Sequence, residues 1–274
     1  MLKIEKIYSG EQLTIDPRES AFSHGAGIFE TLKVDQGYLQ FWSRHWSRMK
    51  VSASRLFSCD LSTKDEAASL EAIKAFCSES GKKDYVLKLS LIVLATGPVL
   101  YIYSRERTAQ VTSAKLYLNE ANPINKNAFH ISHKTHNYLE NMWLLKEAKL
   151  AGYNDYLRMN TQGELCETCI GNCFFIKGEH IITPSVETGL LPGIIRAVLL
   201  EALPIEETQI RVEDLPAMEG CFVTNSVVEI LPVIEIAGTS KQTDHCFSGN
   251  FLSKVKEIKA TLKTIAKSQA INLF

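Results

Sequence analysis

Apolar and polar positions change period several times along the chain. The segment GIFETLKVDQGYLQFW, residues 27–42, alternates apolar and polar on either side of Asp35-Gln36-Gly37 and predicts a β-hairpin. The next stretch, RHWSRMKVSASRLF, spaces Trp46, Met49, Val51 and Leu56 at near-helical intervals and predicts a helix. A second helix is predicted over 63–80, with Thr63 and Glu66 at capping-box spacing and Gly81 as its stop. Strands are predicted at 85–94, 100–103 and 115–118.

The turn-rich stretch 119–127, NEANPINKN, is the expected domain boundary. It divides a smaller N-terminal domain (1–118) from a larger C-terminal one (128–274). In the latter a helix is predicted at 137–151, closed by Gly152. Strands follow at 156–160 and 174–176 around a cysteine-rich turn, with a further piece at 180–182. The remaining elements are a helix at 193–203 that Pro192 helps to start, strands at 221–224 and 233–237, and a closing helix at 251–267. Helices and strands mix without a βαβ rhythm, so the expected class is α+β with mixed sheets.

At 274 residues the chain is long enough for two ordinary domains. Its net charge of −1 gives no bulk attraction to nucleic acid or an anionic membrane. The stretch around 87–100 is interrupted by Lys88, Ser90, Thr96, Gly97 and Pro98, too broken to span a bilayer, and MLKIEKIYSGEQL has no signal-length apolar run. A cytoplasmic protein without membrane or nucleic-acid partners is expected. Seven cysteines, an odd number, argue against a disulfide framework. Cys166 and Cys169 have CxxC spacing, but no second ligand pair accompanies them; half-buried thiols near a turn are expected, and no metal.

Three segments carry chemistry. Lys134 lies between His133 and His136, ahead of a helix; two imidazoles, if protonated, would lower the pKa of its amine. Glu164 and Glu167 sit in a small, apolar turn without a basic sequence neighbour. Leu191-Pro192-Gly193 leads into an apolar helix whose first N–H groups, at Ile194 and Ile195, make an anion cradle. An amine, an acid and a phosphate cradle are what pyridoxal 5′-phosphate (PLP) needs from a protein.

Six segments in order, HGAGIFET, HWSRM, KTHNYLEN, GELCETCIGNCF, GLLPGIIR and FVTNSVVEILPV, resemble the fold-type IV PLP enzymes. That family includes branched-chain aminotransferases, D-amino acid aminotransferases and 4-amino-4-deoxychorismate lyases. The resemblance implies a two-domain, D-amino acid aminotransferase-like fold, a homodimer, and a small-molecule amino substrate. It makes Lys134 the Schiff-base lysine and Glu167, in E-x-x-x-x-N-x-F, the partner of the pyridine nitrogen. Arg48, in H-x-x-R with His45, becomes the phosphate arginine. Ile194, Ile195 and Ser226 complete the phosphate site, and Tyr138 touches the cofactor. His24 and Phe29 line the substrate pocket. KTHNYLEN and TNS lean toward the lyase, which releases pyruvate and 4-aminobenzoate. ATGPVLYIYSRER is shorter than the arginine- and glycine-rich stretch of many lyases and leaves Arg105 and Arg107 as carboxylate partners. Glu229 falls where aminotransferases often carry an acid, so a branched-chain or D-amino acid aminotransferase stays open. A cofactor-free binding protein on the same scaffold is the remote alternative.

Overall fold

The computed structural model describes residues 2–8, 10–14, 16–107, 111–238 and 244–274. In chain order the elements are β1 (Lys3–Ile7), α1 (Ser20–Ser23), β2 (Gly27–Asp35), β3 (Tyr38–Leu39), α2 (Trp42–Phe57), α3 (Thr63–Ser80), β4 (Tyr85–Leu94), β5 (Gly97–Arg105), β6 (Ala114–Leu118) and α4 (Leu139–Leu150). They continue with β7 (Asp155–Met159), β8 (Leu165–Thr168), β9 (Asn172–Lys177), β10 (His180–Pro184), α5 (Ile194–Ala202), β11 (Ile205–Thr208), β12 (Gly220–Asn225), β13 (Glu229–Gly238), β14 (His245–Cys246), α6 (Leu252–Ser268) and β15 (Ile271–Asn272). The chain forms two compact units. The first is Met1–Ala109 with His133–Asn137 and Ile265–Phe274; the second is Gln110–Ser132 with Tyr138–Thr264. Residues 119–127 lie within the second unit, and the short segment carrying Lys134 groups with the first.

The first unit is one sheet in the order β1-β5-β4-β2-β3-β15, with α2 and α3 sharing its core. Alternation along β2 explains the layering. Ile28, Leu32 and Val34 join Leu87, Leu89 and Leu91 of β4 and Trp42, Trp46 and Met49 of α2 in one buried cluster. Phe29 and Thr31 point to the other face, opposite Ser90 and Lys88 of β4. The hairpin turns at Gln36-Gly37, both at positive φ, as the Asp-Gln-Gly signal predicts.

In the second unit β9-β12-β13-β6-β7-β8 close on themselves through the β8–β9 pairing, while β10 and β11 extend the sheet. Its strand interiors are filled by large side chains; Phe174 and Phe222 face each other across β9 and β12 with ring centroids 4.8 Å apart. Parallel pairs (β1–β5, β6–β13, β6–β7, β10–β11) stand beside antiparallel ones, which makes both sheets mixed. No helix among the described residues is long and apolar enough to cross a membrane.

Several local expectations are corrected. The cysteine-rich stretch is a hairpin: Cys166 and Glu167 lie in β8, Cys169 in the short turn that follows and Cys173 in β9, so Glu167 projects from a paired strand and not from the turn itself. Cys166, Cys169 and Cys173 are fully buried, and burial drives all three thiols up, with Cys166 pushed up to about 12. They are inert packing groups, and no cluster able to hold a metal occurs among the described residues. Helix α4 begins at Leu139, two residues later than its pattern suggested.

The capping box of α3 is shifted by one residue: Ser62 accepts from Asp65 N, and the Asp65 carboxylate accepts from Ser62 N at 2.8 Å. Ser62→Ala is therefore expected to cost about 1 kcal/mol in urea unfolding, whereas Thr63→Ala stays within about 0.5 kcal/mol of the parent. Equal losses for the two variants would contradict this cap assignment.

Candidate active site

In the first unit, residues 133–137 pair with the Gly27 end of β2. Phe29 N donates to Lys134 O at 2.9 Å, His136 N donates to Gly27 O at 2.8 Å, and Ile28 bridges Thr135 in antiparallel fashion. Lys134 thus stands directly across from Phe29, on the face turned away from the core. Its Nζ lies 4.5 Å from the Phe29 ring centroid. Gly27 is required opposite His136, because a Cβ there would come within 2.4 Å of the imidazole Nδ1. His136 Nε2 pairs with Ser90 Oγ at 2.9 Å, and His133 Nδ1 with Ser52 Oγ at 2.9 Å.

A second lysine shares the site. Lys88 Nζ donates to Thr31 Oγ1 at 2.7 Å and lies 4.0 Å from the same Phe29 ring. Burial lowers its pKa to about 7, aided by the positive charges of Lys134 and Arg105 and opposed by Glu30. Burial, with the charge of Lys88, also holds the His136 imidazole below its ordinary value and so neutral near pH 7. The charge expected from a protonated His136 next to Lys134 is therefore absent, and the nearby cation is Lys88.

Across β2, on the core face, Glu30 is 1% exposed. Its carboxylate takes a fork from Arg48, Nε at 2.7 Å and Nη2 at 2.6 Å, and pairs with His45 Nδ1 at 2.6 Å. Burial pushes the Glu30 carboxyl up, but the Arg48 and His45 contacts outweigh it and bring it down to about 2. Arg48 is therefore held by a buried acid; it is not a solvated helix arginine.

In the second unit, Glu167 of β8 stands opposite Asn172 of β9. Its Oε2 accepts from Asn172 Nδ2 at 3.2 Å and from Leu191 N at 3.1 Å. Asn172 Nδ2 also donates to Leu191 O at 2.9 Å, binding the acid to the loop that enters α5. Gly193, the N-cap of α5, makes no side-chain cap, and a Cβ on it would sit 2.0 Å from Asn172 Oδ1. The first N–H groups of α5, at Ile194 and Ile195, have no partner within the helix and face whatever lies ahead of it.

Ser226 sits in the turn between β12 and β13. Asn225 Oδ1 accepts from Val227 N and Val228 N at 2.9 Å each, and its Nδ2 donates to Ile170 O at 3.1 Å. Gly171 packs so close to Thr224 O that a Cβ would stand 2.7 Å away. The Ser226 turn is thereby locked to the β8–β9 turn beside Glu167. Tyr138, at the N-cap of α4, donates its hydroxyl to Cys169 O at 2.7 Å; burial, with the Glu167 charge, raises its pKa, so it remains a donor. Asp155 is buried beneath the same turn. Burial raises it to about 6 against hydrogen bonds from the Thr168 hydroxyl and backbone N–H groups.

The remaining sequence candidates lie toward the edges of the unit. His24 is exposed at the end of α1 and pairs with Ser23 Oγ at 2.7 Å. Arg105 is exposed at the end of β5, opposite Val86. Arg107 binds Asp35 at 3.1 Å, at the hairpin end of β2, about 20 Å along the strand from Phe29. The structure does not bring Arg107 to Lys134 within this unit. Sequence reasoning missed Lys88, whose signal was a lone charge inside the apolar run VLKLSL, and Glu30, inside HGAGIFET.

The profile of the amino-transferase class IV family matches residues 27–236, and the chain belongs to that family. Its fold is the fold-type IV α+β architecture of those enzymes. The chain is 26% identical over 267 residues to an aminodeoxychorismate lyase from Bacillus subtilis, covering 89% of this chain and 90% of the relative. It is 25% identical over 255 residues to a "Probable branched-chain-amino-acid aminotransferase" from Aquifex aeolicus, covering 84% and 82%. The branched-chain amino acid aminotransferase from Escherichia coli superposes with a TM-score of 0.82 at 17% identity, covering 95% of this chain and 94% of that one. The chain is thus similar both to lyases and to aminotransferases of one family.

The two buried carboxyls predict opposite pH slopes. Glu30 is ionised in the folded chain where the unfolded chain would bind a proton, so its contribution is present above pH 4.5 and is lost as pH falls toward about 2. Asp155 is the reverse: its contribution is full below pH 3.8 and is lost as pH rises through about 6. Urea unfolding of Glu30→Gln should show on the order of 3 kcal/mol less stability at pH 7 and a flattened acid slope. Asp155→Asn should flatten the slope between about pH 4 and 6. Unchanged slopes in both would remove these assignments.

Proposed function

We propose that the chain is a PLP-dependent 4-amino-4-deoxychorismate lyase, releasing pyruvate and leaving 4-aminobenzoate. The observation that carries the PLP part is the Glu167–Asn172–Gly193 arrangement, which buries an acid next to a helix start, with Gly193 leaving room for the Asn172 side chain that any Cβ there would displace. An acid suited to a ring nitrogen and N–H groups suited to a phosphate are both fixed there, and Lys134, in the first unit, would supply the amine. These residues fit PLP.

When bound, PLP supplies an aldehyde that takes up an amino group and a protonated ring that accepts the electron pair left at the substrate Cα. Lys134 would hold the cofactor through its amine, then take the Cα proton. Glu167 would hold the proton on the pyridine nitrogen; Asn172 and Leu191 N keep its carboxylate in place. Arg48, Ile194 and Ile195 N–H, and Ser226 would bind the phosphate. Tyr138, kept protonated and bonded to Cys169 O, would fix the turn that follows Glu167 and border the cofactor. Loss of the Cα proton and breakage of the C–O bond to the enolpyruvyl group make the ring aromatic. The leaving enol takes up a proton to become pyruvate. Phe29 would face the substrate, with His24 nearer the rim.

Support for the lyase comes from charge as well as from the relatives. The face carrying Lys134 also carries Lys88 and, at its edge, Arg105, and a substrate with two carboxylates suits such a face. The second reading, a branched-chain or D-amino acid aminotransferase, draws on the comparable identity to an aminotransferase. A homodimer is part of either reading.

The two readings separate by stoichiometry. Aminodeoxychorismate alone should give sustained, equal release of 4-aminobenzoate and pyruvate, because elimination consumes no second substrate. Rapid conversion of the cofactor to its amine form by a branched-chain or D-amino acid, with no aromatic product, would establish the aminotransferase instead. Arg48→Ala should weaken PLP binding about 10- to 100-fold, the worth of a charge-assisted contact of about 1.5–3 kcal/mol, and leave binding of phosphate-free pyridoxal unchanged. Equal losses for both ligands would show that Arg48 serves only Glu30.

A further inference from the structure

Lys134 and Lys88 approach one aromatic ring from adjacent strands. Lys134 lies opposite Phe29 through the 133–137 pairing, and Lys88 reaches the ring from position 88 of β4, diagonal to Phe29 across the sheet. Their Nζ atoms are 4.5 and 4.0 Å from its centroid, so the two nitrogens are no farther apart than those distances combined. We infer that Lys88 is a positioning residue for the Lys134 amine: two ammonium groups on the shared ring repel each other, so the two lysines hold one proton between them and Lys134 is kept reactive.

The surrounding groups favour this arrangement. On β5, Tyr103 stands opposite Lys88, and Arg105 adds positive charge that disfavours its ammonium. On the far side of β2, the Glu30 carboxylate is bound by Arg48 and His45 of α2. Burial keeps His45 below its ordinary value, so that imidazole adds no charge near pH 7. On Lys134's own segment, His136 is likewise held neutral and His133 is engaged by Ser52. Lys88 is half-buried and anchored on Thr31; burial first, and the charge of Lys134 second, lower it to about 7. Two amines this close titrate as a unit, with the first proton leaving well below the ordinary lysine value. At about 8 Å and an effective dielectric of about 20, the repulsion is worth about one pH unit or more.

The test is the pH profile of Lys134 acetylation by limiting acetic anhydride in the full chain without PLP, read by peptide mass spectrometry against exposed lysines such as Lys64. The parent, Lys88→Met and Lys88→Arg are compared. In the parent, Lys134 should reach half-maximal reactivity well below the exposed lysines. Lys88→Met should raise that midpoint by about one pH unit or more, and Lys88→Arg, which keeps the charge, should not raise it. A parent Lys134 that titrates with the exposed lysines overturns the inference, even if Lys88→Met fails to fold. So does a Lys134 profile that is the same in Lys88→Met as in Lys88→Arg. The use of this amine to hold PLP rests on the function proposed above. Adding PLP to the parent therefore forms a separate arm: absence of a visible chromophore would defeat that reading while the acetylation profile decides this one.

Discussion

The short antiparallel pairing between residues 133–137 and the Gly27 end of β2 is the constraint on which the chemistry of the first unit depends. Two backbone hydrogen bonds, Phe29 N to Lys134 O and His136 N to Gly27 O, fix which way each side chain of the segment points. Strand alternation then does the rest: Lys134 shares the outer face with Phe29, and Thr135 is turned into the protein and buried. A slip of one residue would exchange them. Gly27 makes this register possible, since any Cβ there would displace the His136 ring.

The same economy governs the charges. β2 carries its acid, Glu30, on the core face and its aromatic, Phe29, on the other, so one strand separates an anchored ion cluster from a reactive amine. Removing either charged partner, Glu30 or Arg48, would leave the other's charge uncompensated in a buried setting, so that pair stands or falls together. In the second unit polar contacts place the acid. Asn172 and Leu191 N hold Glu167, and Gly193 lets the start of α5 approach them. Asn225, Tyr138 and Asn141 all donate to carbonyls of the turn that follows Glu167, so that turn has little freedom.

Much of this was legible in the sequence, and the misses share a physical cause. The hairpin, the β4 strand and the α2 and α3 helices show clear periodicity, and the structure places them within a few residues of the pattern. β8 was hidden because Leu165-Cys-Glu-Thr is buried on both faces, which leaves no alternation to read. β1 and β11 pair in parallel with distant strands, a feature local pattern does not carry. Lys134 and Glu167 stand out in the sequence because each is a charged residue in a small or apolar setting. Lys88 was passed over as a break in an apolar run, although the same argument applies to it. Arg105 and Arg107 were chosen for charge alone, and the pairing of Arg107 with Asp35 is a long-range contact that spacing does not reveal.

The proposed function turns on which amine would capture PLP. Lys134 and Lys88 lie on the same ring, and both are candidates by distance. Borohydride reduction of the PLP-loaded chain, followed by proteolysis and peptide mapping, distinguishes them. The adduct is predicted on the peptide containing Lys134, with Lys88 unmodified. An adduct carried chiefly by Lys88 would contradict the assignment of roles made from the pairing of residues 133–137 with β2.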